Sequence, residues 1–225
     1  TALGLSDCEN RVQYCINSVG DSSVTDNESK ISALAEMWLF KAMRAQKDAQ
    51  VLKDAGEFQD ENKLNAELLN DYIQTAKYSY DYLFFSGRKI SDRVLEDRQT
   101  QVKDYYNFAV QNVIEQLYRA TKGKALTDFP VREGKWNIYI KNPEQLSEHA
   151  ETVKELIPDT VLSFKGLKNQ YSADGLGARM VLSTDDPAKE KDQPWRLMPY
   201  SSVTAMISFP GKSLNQILTA DDVVV

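Results

Sequence analysis

The side chains in this chain that lend themselves to chemistry are two cysteines, a lone histidine, two aspartate pairs, a glycine doublet and a crowd of tyrosines. Cys8 and Cys15 are the only thiols. On one continuous helix their Cα atoms would stand roughly 10 Å apart at about 1.5 Å per residue, whereas a disulfide needs about 5.5–6 Å. A bridge between them therefore demands a non-helical stretch. Composition leaves two readings open, a small disulfide loop of an exported protein and a pair of ordinary thiols. Two cysteines with one distant histidine make a poor zinc set, and no metal or cofactor is expected.

A serine nucleophile needs a base, usually histidine, and a strained turn such as Gly-x-Ser-x-Gly. No such turn occurs, and neither His-Glu-x-x-His nor a phosphate-binding loop is present. His149 sits in Leu146-Ser147-Glu148-His149-Ala150, one residue off an apolar stripe, and reads as a surface residue. Gly175-Leu176-Gly177 lacks the third glycine and the following helix of a dinucleotide fingerprint. It reads as a tight turn leading into a strand, with glycines at positive φ. Asp185-Asp186 and Asp221-Asp222 could do glycosidase-type acid/base work only if two carboxylates faced one cleft; in loops they read as solvated charges. No catalytic residue is assigned. Tyr72, Tyr78, Tyr80, Tyr82, Tyr105, Tyr106 and Tyr118 gather on two helical segments, where packing with a hydroxyl reaching water explains most of them. Tyr78 and Tyr82 fall outside the main apolar stripe and are the candidates for a binding groove.

The elements that must position these residues fit an α+β fold. With 225 residues, 42% hydrophobic and 27% charged, the chain can bury a real core and lies in the globular range. No run of eighteen apolar residues occurs, so no membrane-spanning helix is expected. A formal charge of −6 supplies no cation excess for non-specific nucleic-acid binding. Thr1 opens the chain without a cationic start or signal-like apolar stretch, and Val223-Val224-Val225 closes it on β-branched residues; we read a processed product whose parent continues beyond Val225.

Residues 1–30 form an N-terminal extension whose Ser-, Asp- and Asn-rich part, 16–30, reads as a loop. Thr25 and Glu28 then have the spacing of a capping box. Ile31, Leu34, Ala35, Trp38, Ala42, Ala45, Ala49 and Leu52 make the stripe of a first long helix that Gly56 ends. A second begins at Asp60-Glu61, carries Leu64, Leu68, Tyr72, Ala76, Tyr80, Leu83 and Phe84, and stops at Ser86-Gly87. A third is capped by Ser91 and carries Val94, Val102, Tyr105, Tyr106, Ala109, Val113, Leu117 and Ala120. Short joins between long helices predict an antiparallel helical layer over residues 31–125. Residues 130–225 read as a β-rich region packed on those helices. It has strands at Lys135–Ile140, Thr160–Phe164, Ala178–Ser183, Val203–Phe209, Gln216–Thr219 and Val223–Val225. Its one helix starts at Asn142-Pro143, buries Leu146, Ala150, Val153 and Ile157, and is stopped by Pro158.

Three stretches in order, Asp104-Tyr105-Tyr106-Asn107 with Ala109, Tyr171 with Gly175-Leu176-Gly177-Ala178-Arg179-Met180-Val181, and Val203-Thr204-Ala205-Met206-Ile207-Ser208-Phe209, follow the alanine- and tyrosine-rich helical start. From about Ala33 to Phe209 the chain resembles the pre-catalytic N-terminal region of large bacterial α/β-hydrolase-family proteins, which often look like exported lipoproteins. It departs from them at Val203, where that group commonly has Pro. The resemblance implies a parent that is a serine-dependent, esterase- or lipase-like hydrolase of the bacterial periplasm or envelope. It implies that the nucleophile, acid and histidine all lie beyond Val225. This segment would then be accessory, covering or shaping the active site, with the C-terminal hydrolase domain of the same chain as its partner. The alternative is a stand-alone helical protein-interaction module of the bacterial envelope, binding another envelope protein through its tyrosine-rich faces. An enzyme working through its own carboxylates has no specific support.

Overall fold

A computed structural model of the chain describes residues 8, 11–23, 26–56, 65–87, 96–120, 131–141, 153–161, 175–184 and 200–225. The class is α+β: the described residues form five α-helices and two three-stranded sheets. The helices that lead the chain are α1 (Val12–Asp21), α2 (Asn27–Asp54), α3 (Ala66–Phe85) and α4 (Asp97–Ala120).

Segment 16–21, expected as loop, is the body of α1. Val12, Ile16 and Val19 recur at helical spacing and pack on Leu34, Met37 and Trp38 of α2, and that burial outweighs the local Ser and Gly content. Cys8 and Cys15 are joined by a disulfide with Cα atoms 5.8 Å apart. The required break in the helix is present: Arg11, the N-cap of α1, sits at φ −140°, ψ 45°. Replacing both cysteines by alanine should cost about 2 kcal/mol through the freed loop entropy. An unchanged denaturation midpoint would show that α1 is held by its apolar face alone.

Helix α2 is capped by Asp26, whose carboxylate accepts the Ser29 N–H at 2.9 Å, one residue after the expected Thr25, which lies outside the described residues. Hydrogen bonding from the Ser29 side chain, and then from its backbone N–H, lowers the Asp26 pKa from its ordinary value. Helix α3 starts at Asn65, whose side chain accepts the Leu68 N–H at 3.1 Å; the expected start at Asp60-Glu61, like the Ser91 cap of α4, lies outside the described residues. The apolar stripes hold with exceptions at their margins. Ile31, Leu34, Ala35 and Ala42 are buried on α2, but Trp38 is only half-buried and Leu52 is exposed. Helix α3 packs against both α2 and α4. Leu69, Tyr72, Ile73 and Ala76 meet Val102, Tyr106, Ala109, Val110 and Val113 in one core.

The second half builds two sheets. In the first, β2 (Trp136–Tyr139) is central, antiparallel to β1 (Val131–Glu133) and parallel to β6 (Asp222–Val224). In the second, β4 (Ala178–Thr184) lies between β3 (Val153–Pro158) and β5 (Tyr200–Ala205), all antiparallel. Trp136 and Ile138 point into the core while Asn137 and Tyr139 alternate outward. Strand β6 is not open: beyond β2, its Val224 exchanges backbone hydrogen bonds with Ser208 at 2.8 and 2.9 Å.

Four expectations for this half are corrected. Val153 and Ile157 belong to β3 rather than to a helix, since the segment finds a partner in Met180–Thr184 of β4, and Pro158 is tolerated at the end of an edge strand; residues 142–152 lie outside the described set, as does His149. At Thr160 the chain makes a 3-10 turn (Asp159–Val161). Gln216–Thr219 is part of α5 (Leu214–Thr219), not a strand. Gln216 turns back so that its Oε1 accepts the Lys212 N–H at 2.8 Å, and Ile217 is buried, which fixes a short helix. The expected strand to Phe209 ends at Ala205.

Candidate functional site

The described parts of the three stretches that carry the family resemblance come together; Tyr171 lies outside the described residues. Consecutive residues of α4 reach the end of the second sheet where Ala178 of β4 pairs with Ala205 of β5. The Tyr106 hydroxyl donates to the Ile207 carbonyl and accepts the Ile207 N–H at 2.9 Å. One phenol thus satisfies both backbone groups of a residue that has left the sheet. Burial raises the Tyr106 pKa, so the hydroxyl stays a donor. Next to it, the Asn107 amide copies a strand neighbour: Nδ2 donates to the Gly175 carbonyl at 3.1 Å and Oδ1 accepts the Gly177 N–H at 2.7 Å. Gly177 has φ +108°, as expected of a glycine leading into β4, but Gly175 is not at positive φ. This knot fixes geometry; no nucleophile or base belongs to it.

A second cluster is charged and was not singled out by sequence reasoning. Lys77 and Asp81 sit one turn apart on α3, 2% and 0% exposed. The Lys77 ammonium donates to the carbonyls of Leu218 and Ala220, each at 2.7 Å, and lies 5.1 Å from the centre of the Trp136 ring. Trp136 in turn donates from Nε1 to Asn70 Oδ1 at 3.0 Å. Neither carboxylate oxygen of Asp81 has a hydrogen-bond partner. Burial pushes Asp81 up to about 7 against the pull of Lys77, and burial first, then the Lys135 charge, brings Lys77 down to about 8. Farther along α3, Asp71 is also enclosed; its Oδ1 accepts from Lys41 at 3.0 Å and from Asn70 at 3.2 Å. Burial raises the Asp71 pKa, opposed by Lys41. The only available signal was charges at 71, 77 and 81 within a helix apolar on nearly every side.

The candidate groove tyrosines do not share an open face. Tyr82 is 2% exposed and belongs to the core, while Tyr78 is half-buried between the core and the α1–α2 contact. Asp185-Asp186 lie outside the described residues. Asp222 accepts from Asn137 Nδ2 at 2.8 Å, a strand-to-strand contact rather than half of a carboxylate dyad. A cleft of about 240 Å³ lies between the last turn of α4 and β3, with Tyr118, Leu156, Ile157, Pro158 and Val161 as walls and the Glu115–Arg119 ion pair at 3.2 Å beside it. Among the described residues no group of three His, Cys, Asp or Glu side chains could hold a metal ion, and no helix is long and apolar enough to cross a membrane. No family model, curated protein or solved structure matches the chain.

Proposed function

We propose that this chain is the accessory N-terminal region of an exported, esterase- or lipase-like serine hydrolase of the bacterial envelope, non-catalytic by itself, whose three long helices run as an antiparallel layer that shapes or covers the active site of a following hydrolase domain. The observation that carries the reading is the convergence of its signature stretches. Tyr106 and Asn107, Gly175 and Gly177, and Ile207 are distant in sequence and form one hydrogen-bonded knot. Stretches that recur together in order are expected where they make one structural unit. The Cys8–Cys15 bridge adds support, since disulfides persist in oxidising compartments.

A second reading, an envelope protein-interaction module, draws on a different feature. Phe40, Met43 and Val51 are 42%, 50% and 58% exposed on one side of α2. Fluorophosphonate labelling of the native gene product, with its intact mass read on the same sample, separates the two. A product much heavier than 25.5 kDa that takes one label is the expected result. An unlabelled product near 25.5 kDa would sink the hydrolase reading and favour the module.

A further inference from the structure

Cys8, Val12, Cys15, Ile16 and Val19 recur at the steps of one apolar helix face. Val12, Ile16 and Val19 already pack on Leu34, Met37 and Trp38 of α2, which runs on past Trp38 to Asp54. Glu9, Asn10 and Arg11 bring no Gly, Pro or β-branched residue that would stop a helix. Cys8 has helical backbone, yet Arg11 stands at φ −140°, ψ 45°, and α1 begins only at Val12. That beginning is poorly served. The first bond of helical spacing runs from the Cys15 N–H to the Arg11 carbonyl at 3.1 Å, so the Val12, Gln13 and Tyr14 amides have no partner within α1. The Arg11 side chain does not cap them. In an unbroken helix Val12 would donate to the Cys8 carbonyl, which instead accepts the Arg11 N–H at 3.1 Å. What forbids the unbroken helix is the bridge: it holds the two Cα atoms 5.8 Å apart, where a helix would place them roughly 10 Å apart.

We propose that α1 is a redox-set helix: with Cys8 and Cys15 reduced it runs unbroken through Arg11 to Cys8, and closing the bridge breaks it at Arg11 and draws Cys8 in toward Cys15. In the reduced state the Val12, Gln13 and Tyr14 amides gain the carbonyls of Cys8, Glu9 and Asn10, four residues back. The Cys8 carbonyl exchanges the Arg11 N–H for that of Val12. Closure is a thiol–disulfide exchange with a disulfide donor. One cysteine thiolate attacks the donor disulfide, and the other cysteine displaces the donor sulfur as the Sγ–Sγ bond forms. The two thiols together give up two protons and two electrons, and the donor leaves as a dithiol. The consequence is directional: the redox state sets the angle at which the chain enters α1. The inference concerns α1 alone and is independent of the hydrolase reading.

NMR on the full chain tests it, comparing the oxidised wild type with the double variant Cys8→Ser, Cys15→Ser. The Arg11 Cα shift and its three-bond HN–Hα coupling should both move to helical values in the variant. Exchange of the Val12 amide, corrected for intrinsic rates, should slow about fivefold, as one net backbone hydrogen bond gives. Val110 and Val113 of α4 serve as the reference and should not change. Loss of a merely structural staple would instead speed the Val12, Gln13 and Tyr14 amides. That outcome, or an Arg11 that keeps its non-helical values without the bridge, overturns the proposal. Should the double variant fail to fold, the same shift, coupling and exchange are read on the wild-type chain reduced with dithiothreitol. A reduced chain in which α1 melts overturns the proposal as well, because an unbroken helix needs no bridge to hold it.

Discussion

Gly177→Ala should lower the stability of the chain by about 3 kcal/mol or more, whereas Gly175→Ala two residues earlier should stay within about 0.5 kcal/mol of wild type. Gly177 holds φ +108°, which an L side chain rarely adopts, and a Cβ there would stand 2.6 Å from the Ala205 carbonyl oxygen, 2.9 Å from Met206 Cγ and 3.0 Å from Thr204 Cγ2. Met206 is exposed and can swing aside. The Ala205 carbonyl belongs to the backbone at the Ala178 pairing and cannot move without disturbing β5. Relief by shifting β4 instead would pull the Gly177 N–H off Asn107. At Gly175 a Cβ meets nothing within 4 Å. Urea denaturation of both variants checks the contrast. Equal midpoints would mean that α4 does not hold the sheet end rigidly, and the convergence behind the proposed function would lose its structural meaning.

Trp136→Ala should cost about 3–5 kcal/mol. The ring is 1% exposed on β2, lies beneath the Lys77 ammonium, and is tied by its N–H to Asn70 on α3. Truncation would open a cavity between the helices and the first sheet and leave Asn70 and Lys77 short of partners. Trp136→Phe keeps most of the volume and loses the Asn70 hydrogen bond, so about 1–2 kcal/mol is expected. Trp38→Ala should cost less than Trp136→Ala, because Trp38 is half-buried. Thermal melts of the three variants give the ranking; Trp38→Ala as the most damaging would place the main core between α1 and α2.

That ranking reverses what a periodic reading of the chain suggests, and the reason is physical. Trp38 lies on a strong three-and-four stripe, visible in sequence, while Trp136 lies in a four-residue strand whose parallel partner β6 and whose helix contacts at Asn70 and Lys77 are remote. The long helices were legible because their signal repeats over five or more turns and Gly56 and Gly87 mark two of their ends, whereas the caps Asp26 and Asn65 emerged only from the structure. Short apolar segments were not. Gln216–Thr219 and Val153–Pro158 fit helix and strand about equally by pattern, and tertiary partners decide between them. Cys8–Cys15 was readable as a geometric condition, met once Arg11 breaks the helix. The knot was legible only as three stretches; nothing in Asn107 itself announces that it imitates a strand. Lys77 and Asp81 look like any solvated pair until burial and the carbonyls of Leu218 and Ala220 are known.

The pairing of β2 with β6 has a consequence for synthesis. Asn137 and its partner Asp222 are 85 residues apart, and β6 must slot between β2 and the Ser208 segment. A ribosome adding about 5–20 residues per second needs roughly 4–17 s to cover that distance. Throughout that interval Trp136–Tyr139 has an unfilled edge and Lys77 has no carbonyls to hold. The helices can assemble while the chain is still growing, but the first sheet waits for its last strand, and a chaperone or protease meets its bare edge before β6 does.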